Sequence, residues 1–303
     1  MSLPLRQLGK TGLRVTPVCV GTGVLGGMAE IFGYDVDTDR AVATVREALR
    51  GPINFLDTSA GYGGGESERR VGLALADGIP DGFVVATKVD PDPGTGGYAG
   101  SDVRRSAERS LKRLGLDRFP LLYLHDPERI GFEAAMARGG AVEELVKLRD
   151  EGVAEHLGVA GGPVDLMTRF VHTGLFDVAL THNRFTLLDR SAEPLIAAAT
   201  AAGVAVVNAA VFNGGMLVKG PRRQPRFAYR TADREIVQRA REIQRACATF
   251  GVELGAAALQ FSLRDKRISS TVVGVSRPER IAQTVRWASE PLPDELWQAL
   301  DAR

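Results

Sequence analysis

Short apolar runs, most of them ending in a polar residue, recur along the chain at Val18 to Val20, Ile53 to Asp57, Phe83 to Lys88, Leu121 to His125, Leu157 to Val159, Val178 to His182, Val204 to Asn208 and Thr271 to Val273. Their length and β-branched content predict buried strands. Between them the apolar positions fall at helical spacing, which predicts helices over Thr38 to Arg50, Glu66 to Ala76, Asp102 to Leu114, Ala135 to Glu151, Asp165 to His172, Ala192 to Ala202, Arg234 to Phe250 and Pro278 to Ala288. In the fourth of these, Val142, Leu145, Val146 and Leu148 form one stripe and Gly152 supplies a stop signal. Strand and amphipathic helix alternate throughout, so the expected fold class is α/β, a (β/α)8 TIM barrel. An open doubly wound sheet has the same periodicity, but units of mostly about 25 to 35 residues favour closure.

A β-hairpin over Leu5 to Val15, turned at Gly9 to Gly12, is expected ahead of the first run. Two segments exceed a minimal unit. Pro91 to Gly100 and Asn213 to Ala232 are expected as loops after the third and seventh strands, at the end of a barrel where substrate enters. With Ile130 to Arg138 they would set substrate identity. A barrel of this kind runs to about 250 residues or more as one domain, so the chain, 1–303, is read as a single domain.

Four polar side chains fall together at the C-terminal ends of these strands: Asp57 on the second, Lys88 on the third, His125 on the fourth, and Tyr62 five residues past Asp57. A tyrosine hydroxyl titrates near 10, too high for easy proton exchange at neutral pH, and a neighbouring ammonium lowers that value. Lys88 supplies such a charge and Asp57 would hold and neutralise it. A neutral His125 would hydrogen-bond a substrate oxygen and stabilise charge developing there. Singly, each has an ordinary structural explanation, as a cap, a solvated strand end, a packed aromatic or a core histidine. Their joint placement favours proton handling, and this set requires no metal.

Through Phe55-Leu-Asp-Thr-Ser-Ala-Gly-Tyr-Gly, Ala86-Thr-Lys, Leu122-Tyr-Leu-His-Asp and Gly274-Val-Ser-Arg-Pro-Glu-Arg-Ile, in order and spanning nearly the whole chain, the sequence resembles the aldo-keto reductase superfamily. The family's Asp-Tyr-Lys-His tetrad then falls on Asp57, Tyr62, Lys88 and His125. Leu124-His-Asp-Pro-Glu, Arg184-Phe-Thr-Leu-Leu-Asp and Asn208-Ala-Ala-Val-Phe-Asn-Gly-Gly-Met-Leu look like the branch that contains L-fucose and D-threo-aldose 1-dehydrogenases and pyridoxal 4-dehydrogenase. That resemblance implies oxidation of a cyclic hemiacetal hydroxyl to a lactone, with Tyr62 as general base. Two alternatives stay open: an aldehyde or ketone reductase of a biosynthetic pathway, and a cofactor-binding redox sensor resembling potassium-channel β subunits.

The implied cofactor is NAD or NADP. Its candidate contacts are Gly21, Thr22, Asp57, Asn183, Phe212, Asn213, Gly214, Gly274, Ser276, Arg280, Gln283 and Thr284. The loop and helix after strand eight would receive a phosphate on backbone N–H groups. Family members that strongly prefer NADP often carry a lysine matching Gly274 and an arginine matching Arg280; only the arginine is present, which tilts the expectation towards NAD. Where the family often has Ser-Asn for the carboxamide, and an aromatic on the nicotinamide, this chain reads Ala160-Gly161 and about Ala209-Ala210. Asn183, Asn208 and Phe212 are the candidates to replace those contacts.

Composition removes several function classes. With 44% hydrophobic and 25% charged residues and a net charge of +1, the chain can build a large core but has no broad basic field for nucleic acid or anionic lipid. Arg222, Arg223 and Arg226 are at most a local patch. The first residues lack a secretory pattern and no apolar run reaches the ~18 residues of a membrane span. The expectation is a cytoplasmic enzyme acting on a small carbonyl or sugar, with no nucleic-acid or membrane partner. Cys19 and Cys247 are expected as buried thiols, and His156, His172 and His182 show no shared metal spacing.

Overall fold

A computed structural model describes residues 3–228 and 230–301. Eight strands, β1 (Val18–Gly21), β2 (Phe55–Asp57), β3 (Val84–Val89), β4 (Phe119–His125), β5 (Ala154–Gly161), β6 (Val178–His182), β7 (Ala205–Ala209) and β8 (Ile268–Gly274), run parallel. They close because β8 pairs with both β7 and β1. All eight coincide with the apolar runs. Both strand faces are buried, which is why those runs read as continuous rather than alternating. On β2, Phe55 points into the barrel with Cys19, Ala86, Leu121, Tyr123, Leu180 and Val207, whereas Leu56 points outward to meet helix residues such as Val45 and Val71.

The N-terminal hairpin pairs Arg6–Gln7 with Arg14–Val15 and plugs the bottom of the barrel. Leu8 and Val15 are fully buried in the interior cluster, and the Arg6 guanidinium donates to the carbonyls of Ile268 and Leu263, both at 2.8 Å. The bottom is sealed, which leaves the C-terminal end for chemistry.

Three helical features depart from the periodicity. The segment expected as one helix over 135–151 forms two, Gly131–Met136 and Ala141–Asp150, broken at Gly139, whose φ of 72° no helix accommodates. A second helix, Leu254–Arg264, follows Arg234–Thr249. Its Leu-Gly-Ala-Ala-Ala-Leu start is buried on nearly every side, so it shows no amphipathic contrast. A terminal helix, Asp294–Asp301, buries Leu296, Trp297 and Leu300. The segment expected as a loop over 213–232 contains a short helix, Met216–Lys219, and a two-residue ladder of Arg226–Phe227 with Arg230–Thr231. No single helix among the described residues is long and apolar enough to cross a membrane.

Candidate active site

Side chains on a strand alternate between faces, so the inward series continues in steps of two. On β2 it runs from Phe55 to Asp57, on β3 from Val84 and Ala86 to Lys88, on β4 from Leu121 and Tyr123 to His125, and on β6 from Val178 and Leu180 to His182. Apolar residues fill the lower layers and polar residues arrive at the top together. Tyr62 comes from the turn after β2. There Gly63 has φ 61°, and a Cβ on it would lie 1.8 Å from the carbonyl oxygen of Gly26, so only glycine lets the tyrosine turn press against the loop after β1.

Lys88 is fully buried and its Nζ donates to Asp57 Oδ1 (2.6 Å), the Thr58 carbonyl (2.7 Å) and the Tyr62 hydroxyl (3.2 Å). Burial alone pulls the lysine down, but the charges of Asp57 and Tyr62 and the bonds to them outweigh it and hold Lys88 above its ordinary value. It stays an ammonium beside the tyrosine oxygen. The Tyr62 and His125 rings meet edge to face, with centroids 5.7 Å apart.

His125 has company that the motifs did not point to. Its Nδ1 lies 2.8 Å from Asp90 Oδ1 and 3.0 Å from Ser59 Oγ, and Ser59 also donates to Asp90 Oδ2. The Gly61 amide, next to Tyr62, donates to the same carboxylate at 2.6 Å. Burial pushes Asp90 up, yet His125, Ser59 and Gly61 bring it down to about 2. Burial likewise opposes a charge on His125, but Asp90, helped by Asp126, raises it above its ordinary value. The neutral histidine of the sequence reading therefore has a carboxylate behind it that favours the imidazolium. Asp90 was legible as the next inward position after Lys88, one step past the end of β3. Tyr98, in the segment expected as a loop over 91–100, was not. Its hydroxyl sits 2.6 Å from the Val89 carbonyl and 2.8 Å from that of His125, and accepts from the His125 amide at 3.0 Å.

His182 stands across the mouth. Burial lowers it to about 4, so it is neutral, and the Asn183 amide donates to its Nδ1 at 3.1 Å. Polar side-chain atoms of Asp126, Glu128 and His182 lie within 4.8 Å of one another at this rim.

The candidate cofactor residues occupy the same end of the barrel on its opposite flank. Gly21 and Gly274 are paired neighbours at the tops of β1 and β8. Thr22 is fully buried, with its hydroxyl bonded to the Asp57 carbonyl at 3.1 Å and receiving Ser67 at 2.9 Å. Asn213, Gly214 and Phe212 form the turn after β7, and the Phe212 ring packs edge-on to Trp287. Ser276 follows β8, while Arg280, Gln283 and Thr284 lie on helix Glu279–Ser289, where Arg280 donates to Gln283 and Thr284 is buried. A cavity of about 470 Å³ there is lined by Arg277, Glu279, Arg280, Ala282, Gln283 and Arg286. The Asn208 amide nitrogen is used within the fold, donating to the Phe185 carbonyl and Ser262, both at 2.8 Å.

Buried polar atoms are normally satisfied. Here Asp57 Oδ2, Asn183 Oδ1 and both side-chain polar atoms of Asn213 are buried without a hydrogen-bond partner among the described residues. All three residues lie at the C-terminal ends of strands around one opening, so the residues present fit a polar ligand with several donors and acceptors, as a dinucleotide has. Cys19 and Cys247 are buried free thiols.

Comparison with known proteins agrees with this geometry. The model of the aldo/keto reductase family matches residues 17–303. D-threo-aldose 1-dehydrogenase from a Pseudomonas species is 32% identical, covering 95% of this chain and 94% of its own. Pyridoxal 4-dehydrogenase from Microbacterium luteolum is 31% identical (97% and 96%), and L-galactose dehydrogenase from Arabidopsis thaliana 34% (95% and 89%). Among solved structures, the holo form of an aldo-keto reductase from Bacillus halodurans superimposes with a TM-score of 0.81 at 24% identity, covering 99% of this chain and 96% of that one. The chain belongs to the aldo/keto reductase family and is an oxidoreductase.

Proposed function

We propose that the protein oxidises the C1 hydroxyl of a cyclic aldose to a lactone, with NAD⁺ as acceptor. The observation that carries this reading is the buried Lys88 ammonium, held by Asp57 at 2.6 Å and placed 3.2 Å from the Tyr62 hydroxyl. Enzymes of this family use NAD(P)H. The nicotinamide supplies the hydride acceptor, and everything else falls to side chains. Lys88 stabilises the Tyr62 phenolate, which takes the hydroxyl proton as the C1 hydrogen leaves as hydride. His125 holds the substrate oxygen. The barrel keeps water from Lys88 and Asp57, where each interaction is stronger than in solvent.

The polar rim of Asp126, Glu128, His182 and Arg184 supports a substrate with several hydroxyls, which such groups can bind from different sides. Relatives named for aldose, galactose and pyridoxal oxidation support the same direction. For the acceptor, the cavity beside helix Glu279–Ser289 has three arginines, but Arg286 is paired with Glu253 and Arg277 lies 4.0 Å from Glu279. Arg280 is thus the one arginine of this cavity without a carboxylate within salt-bridge distance among the described residues. A 2'-phosphate carrying nearly two negative charges is poorly served by one cation, which favours NAD.

Absorbance of NADH and NADPH during incubation with L-fucose, D-arabinose, L-galactose, pyridoxal and simple aldehydes tests the proposal. The expected result is sugar-dependent NAD⁺ reduction that Tyr62→Phe abolishes. Turnover confined to aldehyde reduction would overturn the dehydrogenase reading.

A further inference from the structure

We infer that Asp90 is a positioning residue that locks the His125 proton on Nδ1, so that Nε2 is the nitrogen offered to the substrate oxygen. The inference rests on the proposed oxidoreductase use of this pocket for its catalytic consequence, but not for its structural content.

The hydrogen-bond partners of Nδ1 fix where its proton lies. Its two neighbours are Asp90 Oδ1 at 2.8 Å and Ser59 Oγ at 3.0 Å. A carboxylate only accepts. The single Ser59 hydroxyl proton goes to Asp90 Oδ2, so towards the ring Ser59 also accepts. Among the described residues two acceptors face Nδ1 and no donor does, so the proton resides there. Asp90 is itself fixed by the Gly61 amide at 2.6 Å and fits so closely that a Cβ on Gly61 would approach its Oδ1 to 2.7 Å. The same carboxylate therefore holds the histidine ring and the backbone one residue ahead of Tyr62.

The other charged and titratable groups near the ring are Lys88 from β3, Asp126 from the end of β4 with Oδ1 3.7 Å from Nε2, the Tyr62 ring edge, and neutral His182 from β6. Tyr98 is bonded to the His125 backbone and is held protonated by burial. Of these, only Asp90 bonds Nδ1 directly together with its neighbour Ser59.

The consequence is a division of labour by protonation. Neutral His125 presents a bare Nε2 lone pair, which cannot donate to a substrate oxygen whose own proton is engaged by Tyr62. Protonated His125 presents Nε2–H, which donates to the substrate oxygen in either direction while Tyr62 takes or returns the proton. The donating form is the protonated one, and Asp90 keeps it present above the ordinary histidine range.

The chain has four histidines, so its imidazole ¹H–¹⁵N spectrum is simple and a His125→Gln sample assigns the signal. In the wild-type protein the neutral form of His125 is expected as the Nδ1–H tautomer. Asp90→Asn should lower its titration midpoint by about 1 unit or more, whereas Ser59→Ala should move it far less. In NADH-dependent reduction of an aromatic aldehyde, the basic limb of kcat/KM should move to lower pH by the same amount in Asp90→Asn, with the KM for NADH unchanged. An Nε2–H tautomer in the wild-type spectrum, or an unchanged midpoint in folded Asp90→Asn, overturns the inference. If Asp90→Asn fails to fold, the wild-type tautomer decides alone. Absence of sugar oxidation with the expected tautomer sinks the proposed function and leaves this inference standing.

Discussion

Replacing Lys88 by methionine separates what the buried ammonium does for the fold from what it does for Tyr62. Both Lys88 and Asp57 are almost completely withdrawn from solvent, with side-chain exposures of 1% and 4%, and Asp57 Oδ2 already has no protein partner. Lys88→Met leaves an uncompensated buried carboxylate, a defect that costs about 3–5 kcal/mol. At roughly 2 °C per kcal/mol for a chain of this size, melting should fall by about 6–10 °C. The double variant Asp57→Asn/Lys88→Met removes the stranded charge and should recover at least half of that loss. Catalysis should behave differently. At 3.2 Å and an effective dielectric of about 20, an ammonium and a phenolate attract by about 5 kcal/mol, an upper bound on the help given to Tyr62. General acid–base groups contribute about 10²–10⁴ in rate, so kcat near neutral pH should drop by about 10³ in both variants, with residual oxidation rising towards alkaline pH. Melting curves and nicotinamide absorbance measure the two effects on the same samples. A single variant within tenfold of wild-type kcat would refute the electrostatic role of Lys88, and a double variant no more stable than the single would refute the stranded-charge argument.

Three further outcomes follow from named contacts. Gly274 has an ordinary backbone conformation and a Cβ there would meet only Val24, at 3.6 Å. Gly274→Lys is therefore tolerated and, by placing a second cation near Arg280, should improve kcat/KM for NADP⁺ relative to NAD⁺ by about tenfold; an unchanged ratio places the 2'-hydroxyl elsewhere. Gly158 lies against the Tyr123 ring inside the barrel, with a Cβ position 2.3 Å from ring carbon, so Gly158→Ala should cost about 1–3 kcal/mol by denaturant unfolding, and a neutral result means the ring can retreat. Asp90 has its carboxyl depressed from 3.8 to about 2, so it contributes stability above pH 3.8 that is lost as pH falls towards 2. By linkage this amounts to about 2 kcal/mol, and a wild-type stability curve that runs parallel to that of Asp90→Asn between pH 4 and 2 would exclude it.

How much was legible in the sequence depended on whether a residue's neighbours were local or remote. The eight strands could be read because burial on both faces makes each an unbroken apolar run, and Asp57, Lys88 and His125 because each ends such a run on the inward register. Helix Leu254–Arg264 escaped because its small residues are buried all round, which removes the contrast that reveals a helix face. The break between Met136 and Ala141 did carry a signal, the Gly139-Gly140 pair, which the apolar stripe on either side outweighed. Thr22 stands at the top of β1 among the candidate cofactor contacts, yet its hydroxyl links β1 to β2 through the Asp57 carbonyl and Ser67, a pairing across 35 and 45 positions that no local pattern encodes.

Asp90 and Tyr98 show the same limit within the site. Both belong to the stretch that leaves β3, where glycine and proline suggest a loop and only the inward register singles out Asp90. Their partners, His125 at 35 and 27 positions away, become neighbours only because β3 and β4 pair in register, Lys88 with Tyr123 and Val89 with Leu124. That register carries one inward series to Lys88 and Asp90 and the next to His125, so a carboxylate one layer above the lysine meets the imidazole and not the ammonium. The barrel thereby keeps two acid–base pairs apart: Asp57 with Lys88 beneath Tyr62, and Asp90 with His125 beside it. A single carboxylate shared between lysine and histidine would leave one positive charge uncompensated whenever both were protonated, whereas two carboxylates on neighbouring layers let the histidine titrate while the ammonium beside Tyr62 stays charged.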